Sequence, residues 1–177
     1  MTEADVETAP DAQVEPSRRR TCLIVVLAMA VGVVIVDHLV KAWVGGHEVG
    51  QTFASFLGGF VKFTYIENSG AAFSIGAGYT WIFTVVAVVV AIVILRTSRR
   101  LGSIWWAIAL GGLLGGLLGN LIDRLTRPPG FGSGYVIDFI QLPHFAIFNV
   151  ADMFITCSAV LMVVLALAGV ELSGRRS

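Results

Sequence analysis

The sequence predicts an all-α membrane protein, a bundle of four transmembrane helices, on three observations. Of its 177 residues 56% are hydrophobic and 14% charged, with a mean hydropathy of +0.82, too little polar surface to cover a water-facing globule. Four stretches, near 21–40, 79–95, 103–122 and 150–169, match the run of about 20 apolar residues with which a helix crosses a bilayer core. Cations collect in alternate connections: Arg18, Arg19 and Arg20 before the first stretch, Arg96, Arg99 and Arg100 between the second and third, Arg175 and Arg176 after the fourth. Only Lys41, Lys62, Arg124 and Arg127 fall in the other two connections, so the positive-inside bias predicts both termini on the cytoplasmic side. Twelve Lys or Arg balance twelve Asp or Glu, which leaves no footprint for nucleic acid.

Each element then follows in chain order. Residues 1–20 read as a disordered cytoplasmic tail, since the first seventeen hold five acids, two prolines and no base. Residues 21–170 form the membrane domain, and 171–177 a second cytoplasmic tail. The first span runs from Thr21 to Val36 and meets Asp37; it lacks the small-residue cleavage site of a signal peptide. Val61-Lys-Phe-Thr-Tyr-Ile66 alternates as a half-buried strand would. Trp43, Phe53, Phe56, Phe60 and Phe63 read as interfacial anchors. In the third span Gly111, Gly115 and Gly119 line one helix face and admit a neighbouring backbone; a phosphate loop would need a preceding strand and a lysine. The fourth span carries nothing charged from Met153 to Gly169. Cys22 and Cys157, inside apolar runs, read as small buried residues with neither disulfide nor zinc spacing.

Polar residues gather at one depth. Asp37 and Lys41 end the first span, Glu67, Asn68 and Ser74 enter the second, Asn120, Asp123 and Arg124 leave the third, and Asn149 and Asp152 enter the fourth. All of them reach the outer leaflet in the predicted topology, and ionisable groups at membrane depth mark a functional site by default. Lys62 and Arg127 read instead as headgroup residues. Asp37 and Lys41 stand one turn apart and can pair. Asn120 and Asp123 share a face, and Arg124 beside them can neutralise a carboxylate or hold a substrate carbonyl. Asp152 gains from the dipole of the helix that it enters. Asp138 lies in the outer loop between Ile137 and Phe139, where partial desolvation raises its pKa. Two carboxylates in one partly dry site share a proton, one activating water while the other donates, which is the logic of aspartyl peptide hydrolysis. Spacing leaves open which two of Asp37, Asp123, Asp138 and Asp152 form the pair.

Three rival chemistries fit less well. A proton-coupled transporter would need polar groups along the inner halves of the spans, which are almost purely apolar. A metal-dependent hydrolase built on His38 or His144 lacks ligand spacing. A serine dyad on Ser74 or Ser133 lacks a placed histidine. Structural anchoring alone explains the spans and leaves the outer acids without a purpose.

Five segments also resemble the lipoprotein signal peptidases, or signal peptidase II: Asp37-His-Leu-Val-Lys41, Asn68-Ser-Gly-Ala-Ala-Phe-Ser74, Gly119-Asn-Leu-Ile-Asp-Arg124, Val136-Ile-Asp-Phe-Ile140 and Phe148-Asn-Val-Ala-Asp152. They occur in order on four spans, and the likeness covers most of residues 22–170. It implies a bacterial plasma-membrane aspartyl endopeptidase that removes signal peptides from prolipoproteins, cutting before a cysteine that carries diacylglycerol. It further implies a small extracytoplasmic β-sheet, which residues 42–66 could supply. By the resemblance the catalytic pair falls on Asp138 and Asp152. Asn68, Asn120, Arg124 and Asn149 fall where the family positions substrate backbone and the acids, Asp123 in a supporting place, and Asp37 and Lys41 on the first-helix motif. No metal or cofactor is implied. The partners implied are diacylglyceryl-prolipoproteins, membrane lipid and inhibitors of the globomycin type, acting on a monomer. His38 and Val40 depart from the Gln and Thr common in the first motif. The 125–134 loop is longer than usual, and the stretch from Asp138 to Asp152 shorter.

Overall fold

Long apolar runs satisfy their backbone polar groups internally by forming helices, and four such helices form: α1 (Pro16–Val44), α2 (Thr80–Ser98), α3 (Ile104–Thr126) and α4 (Val150–Leu167). They come from a computed structural model that describes residues 14–70 and 80–175. All four are long and apolar enough to cross a membrane. Three strands, β1 (Thr52–Phe56), β2 (Val61–Asn68) and β3 (Val136–Gln141), make an antiparallel sheet in the order β1-β2-β3.

Several boundaries differ from the sequence expectation, each for a local reason. α1 starts at Pro16, so residues 16–20 of the predicted disordered tail are helical; proline is well suited to a first helical turn. The same helix continues past Asp37 and Lys41 to Val44, because both charges are compensated inside the bundle. Glu67 and Asn68 lie on β2, whereas α2 begins only at Thr80. Ser74, taken as an entry to the second span, lies outside the described residues. The segment around Asp138, predicted as a loop, is β3: Ile66 stands opposite Asp138 and Asn68 opposite Val136. Residues 42–66 therefore supply only part of the sheet. Phe53 and Phe63, expected at the interface, join ring contacts that run from Trp43 through Phe53 and Phe63 to Phe139.

α3 is the central helix, 56% buried over its apolar window against 17–22% for the other three. Glycines make this possible. A Cβ on Gly111 or Gly115 would lie 2.8 Å from the carbonyl oxygen of Val26 or Ala30 on α1. On another face, a Cβ on Gly112 or Gly116 would lie 2.5 Å from Ser158 Oγ or the Ala151 carbonyl oxygen of α4. The glycine run is thus a packing surface toward two helices. Ser158 turns inward on α4, and its neighbour Cys157 is exposed, contrary to the expectation of a buried thiol; Cys22 is buried as expected.

The two ends of the bundle differ in content. At one, Leu172 O accepts hydrogen bonds from the Gly102 and Ser103 N–H groups at 2.8 and 3.2 Å, and Trp106 Nε1 donates to Val170 O at 2.7 Å. Arg18 near the start of α1 lies beside Gly174, so the start of α1, the α2–α3 turn and the last described residues meet there. At the other end sits the sheet, packed through Val44, Tyr65, Ile137 and Phe139.

Candidate active site

Asn149 organises the first turn of α4. Its Oδ1 accepts from the Asp152 N–H at 3.0 Å, and Asp152 Oδ2 accepts from the Asn149 N–H at 3.1 Å, a reciprocal capping box. The amide nitrogen of the same asparagine donates to Asp138 Oδ1 at 2.7 Å and to Asn120 Oδ1 at 3.1 Å. From β2, Asn68 Nδ2 donates to Asp138 Oδ2 at 2.8 Å, a diagonal cross-strand pair. From α3, Asn120 Nδ2 donates to Asp152 Oδ1 at 2.8 Å. Every oxygen of Asp138 and Asp152 thus accepts an N–H from a fixed donor. Both acids line one cavity of about 550 Å³, whose polar end also holds Asn68, Asn120 and Arg124. Its apolar wall includes Leu142, Phe145, Phe148, Met153 and the exposed Cys157.

Asp138 is only 2% exposed. Burial, and next the neighbouring Asp152 charge, push its pKa from 3.8 to about 7, against the opposing amides of Asn68 and Asn149. The desolvation expected from its apolar flanks is present, on a strand rather than a loop.

Beneath the acids lies a charged support. Lys41 is fully buried, and its Nζ lies 2.7 Å from Asp37 Oδ2, 2.9 Å from Asp123 Oδ2 and 2.9 Å from Asn120 Oδ1. All three ammonium donors are therefore used. Asp37 Oδ1 accepts from the Ala151 N–H at 2.9 Å, tying α1 to the start of α4. Arg127 Nε lies 2.6 Å from Asp123 Oδ1. The group balances two cations against two carboxylates, the condition under which buried charges are tolerated. The sequence reading missed Arg127, which it left to the headgroups; its four-residue spacing from Asp123 was the available signal. It also missed the Ala151 N–H, a backbone group that no residue pattern announces.

Arg124 takes a different partner from the carboxylate foreseen as one option. Its Nη2 donates to Gly70 O at 2.8 Å, and its guanidinium lies 5.4 Å over the Phe83 ring. Nη1 is buried with no hydrogen-bond partner among the described residues. The structure thus gathers Asn68, Asn120, Arg124, Asp138 and Asp152 at the cavity, ties Asn149 to both acids, and places Asp37 and Asp123 on Lys41. His38 and His144 are exposed, and no group of metal-ligating side chains occurs among the described residues. Chemically, a buried and a half-buried carboxylate at one cavity, the buried one titrating near neutrality, are equipped to move a proton to and from a water molecule.

The signal peptidase (SPase) II family model matches residues 29–168. A lipoprotein signal peptidase of Leifsonia xyli subsp. xyli is 43% identical over 175 residues, covering 97% of this chain and 81% of that protein. One from Streptomyces griseus is 42% identical over 173 residues, covering 98% and 88%. A bacterial membrane enzyme solved by the in meso method at 1.9 Å resolution superposes with a TM-score of 0.70 at 28% identity, over 80% of this chain and 92% of that one.

Proposed function

The chain belongs to the signal peptidase II family, multi-pass membrane peptidases that remove signal peptides from prolipoproteins, and from that premise we propose that Asp138 and Asp152 are its catalytic pair. The enzyme is then an aspartic endopeptidase. The observation that carries this reading is that both carboxylates line one cavity while Asn149 bonds to each. The pair holds one proton. One carboxylate removes a proton from water as its oxygen attacks the scissile carbonyl carbon, and the other protonates the carbonyl oxygen. Collapse of the tetrahedral intermediate breaks the C–N bond, and the proton taken from water passes to the leaving amine. Asn68, Asn120 and Asn149 hold the acids in register. Arg124, anchored on Gly70 O, contacts the substrate backbone beside them. Asp37, Lys41 and Asp123 keep α1, α3 and α4 in place around the pair.

The substrate is a prolipoprotein whose cysteine already carries diacylglycerol, cut just before that cysteine. Lipid chains that remain in the bilayer turn capture into a two-dimensional search and align the scissile bond with the acids. Arginines at one end of the bundle and acids at the other support cytoplasmic termini and a site near the outer leaflet, with the sheet on the extracytoplasmic side. The protein acts as a monomer and is open to globomycin-type inhibition.

A gel-shift assay of a diacylated prolipoprotein with purified protein tests the assignment. Asp138→Asn and Asp152→Asn each abolish the shift while the protein stays folded in detergent; full activity of either variant refutes the pair. Equal cleavage of lipidated and unlipidated precursor refutes the substrate reading.

A further inference from the structure

At the end of the bundle opposite the acids, the α2–α3 turn and the last described residues border a second, open cavity of about 590 Å³, lined by the exposed Arg96, Arg99 and Arg100 with Thr97 and Leu172. Three of these five residues are arginines and none is acidic. Among the described residues none of the three has an ion-pair partner, since the ion pairs formed there all involve Lys41 or Arg127. Glu171, next to the wall residue Leu172, accepts its hydrogen bond from Ser173 Oγ at 2.8 Å. The wall itself is fixed, because Leu172 O holds the Gly102 and Ser103 N–H groups. α1 and α3 begin at this end and α2 and α4 finish there, so the helix dipoles offset one another and the local positive potential is that of the arginines. Arg18 lies beside Gly174, on the same terminal segment.

A positive-inside bias accounts for arginines in a connecting loop. It does not require three of them to share one cavity bordered by a pinned C-terminal segment. Among the described residues the cavity wall carries three guanidinium groups and no carboxylate, a charge arrangement that attracts an anion. The cavity opens where the apolar spans end, which is headgroup depth. Guanidinium matches phosphate oxygens in bidentate geometry, and basic pockets between helices bind anionic headgroups. Leu172 offers an apolar surface to the glycerol and first methylenes. We propose that this cavity binds the phosphate group of an anionic phospholipid of that leaflet.

Thermal unfolding of the full chain in neutral detergent tests this, with dihexanoyl phosphatidylglycerol, dihexanoyl phosphatidylcholine and glycerol phosphate as separate probes. Phosphatidylglycerol raises the unfolding temperature saturably, and phosphatidylcholine does not. In the triple variant R96Q/R99Q/R100Q half-saturation weakens by about a hundredfold, roughly fivefold per arginine. R96K/R99K/R100K keeps the charge and falls between. Arg20→Gln, outside the cavity, stays within about twofold of the parent. Thr97→Glu places an acid on the cavity wall with every arginine retained, and weakens binding on its own. Equal half-saturation in the parent and the triple glutamine variant, or equal stabilisation by the two lipids, overturns the proposal. Glycerol phosphate as effective as phosphatidylglycerol overturns the lipid source and leaves a phosphate-ester site.

Discussion

α1 and α3 run side by side along one ridge of α3, and the two halves of that ridge are made differently. Gly111 and Gly115 face Val26, Ala30 and Val33, and the helices meet there in close van der Waals contact. Four and eight residues further along, Gly119 faces Asp37 and Asp123 binds Lys41. The four-residue spacing is unbroken, so a single packing geometry serves both halves. The difference teaches an order of dependence. Charges this short can meet in the second half because missing side chains in the first half bring the backbones together. Dispersion sets the separation, and the ionic half uses it.

The largest expected effect separates chemistry from packing. Asp138→Asn or Asp152→Asn lowers cleavage on the order of a thousandfold or more, measured by gel shift, with the glycine half untouched. Next comes pH. Cleavage falls by about tenfold per unit as pH rises beyond about 7, where Asp138 loses its proton. Stability moves in the same direction: between 3.8 and about 7 the folded chain keeps a proton that the unfolded chain gives up, so resistance to unfolding declines as pH climbs through that window. An Asp138→Asn variant lacks the Asp138 contribution to this slope. Within the ionic half, Lys41→Met leaves two buried carboxylates without their ammonium and costs about 3–5 kcal/mol in detergent unfolding; adding Asp123→Asn recovers part of that loss.

Smaller effects test the dependence itself. Gly111→Ala and Gly119→Ala both insert a methyl into a filled contact and cost about 1–3 kcal/mol. Only Gly119→Ala presses on Asp37, at 2.7 Å from its Oδ2, and so only that variant loses cleavage beyond its loss of stability. Equal loss of activity in the two would break the comparison. Gly32→Ala meets nothing within 4 Å and changes stability by less than about 0.5 kcal/mol.

What the sequence disclosed follows the reach of each interaction. The four spans and the glycine face depend on neighbours three or four positions away, and periodicity displays those directly. The Asp37–Lys41 pair is legible for the same reason. β3 was hidden because its partner β2 lies some seventy residues upstream and an acid interrupts its apolar run. Residue order alone contains no term for that pairing. Cys157 was misjudged because apolar runs in a membrane bundle do not say which side of a helix faces a neighbour; the inward serine at 158 decides it. The meeting of Asp138 with Asp152 depends on Asn149, whose capping pattern with Asp152 was visible but whose amide reaches a strand that was not.

Phe148 N donates to Ile140 O at 3.1 Å, and Ile140 N to Phe148 O at 2.8 Å, so the chain closes on itself between β3 and α4. Residues 142–147 form a handle outside that closure. Lengthening, trimming or exchanging the handle would alter Leu142, Phe145 and their neighbours on the cavity rim while the clasp beneath stays shut. Variation in this stretch is thereby insulated from the machinery, and a shorter handle reshapes the doorway without shifting the hinge on which it hangs.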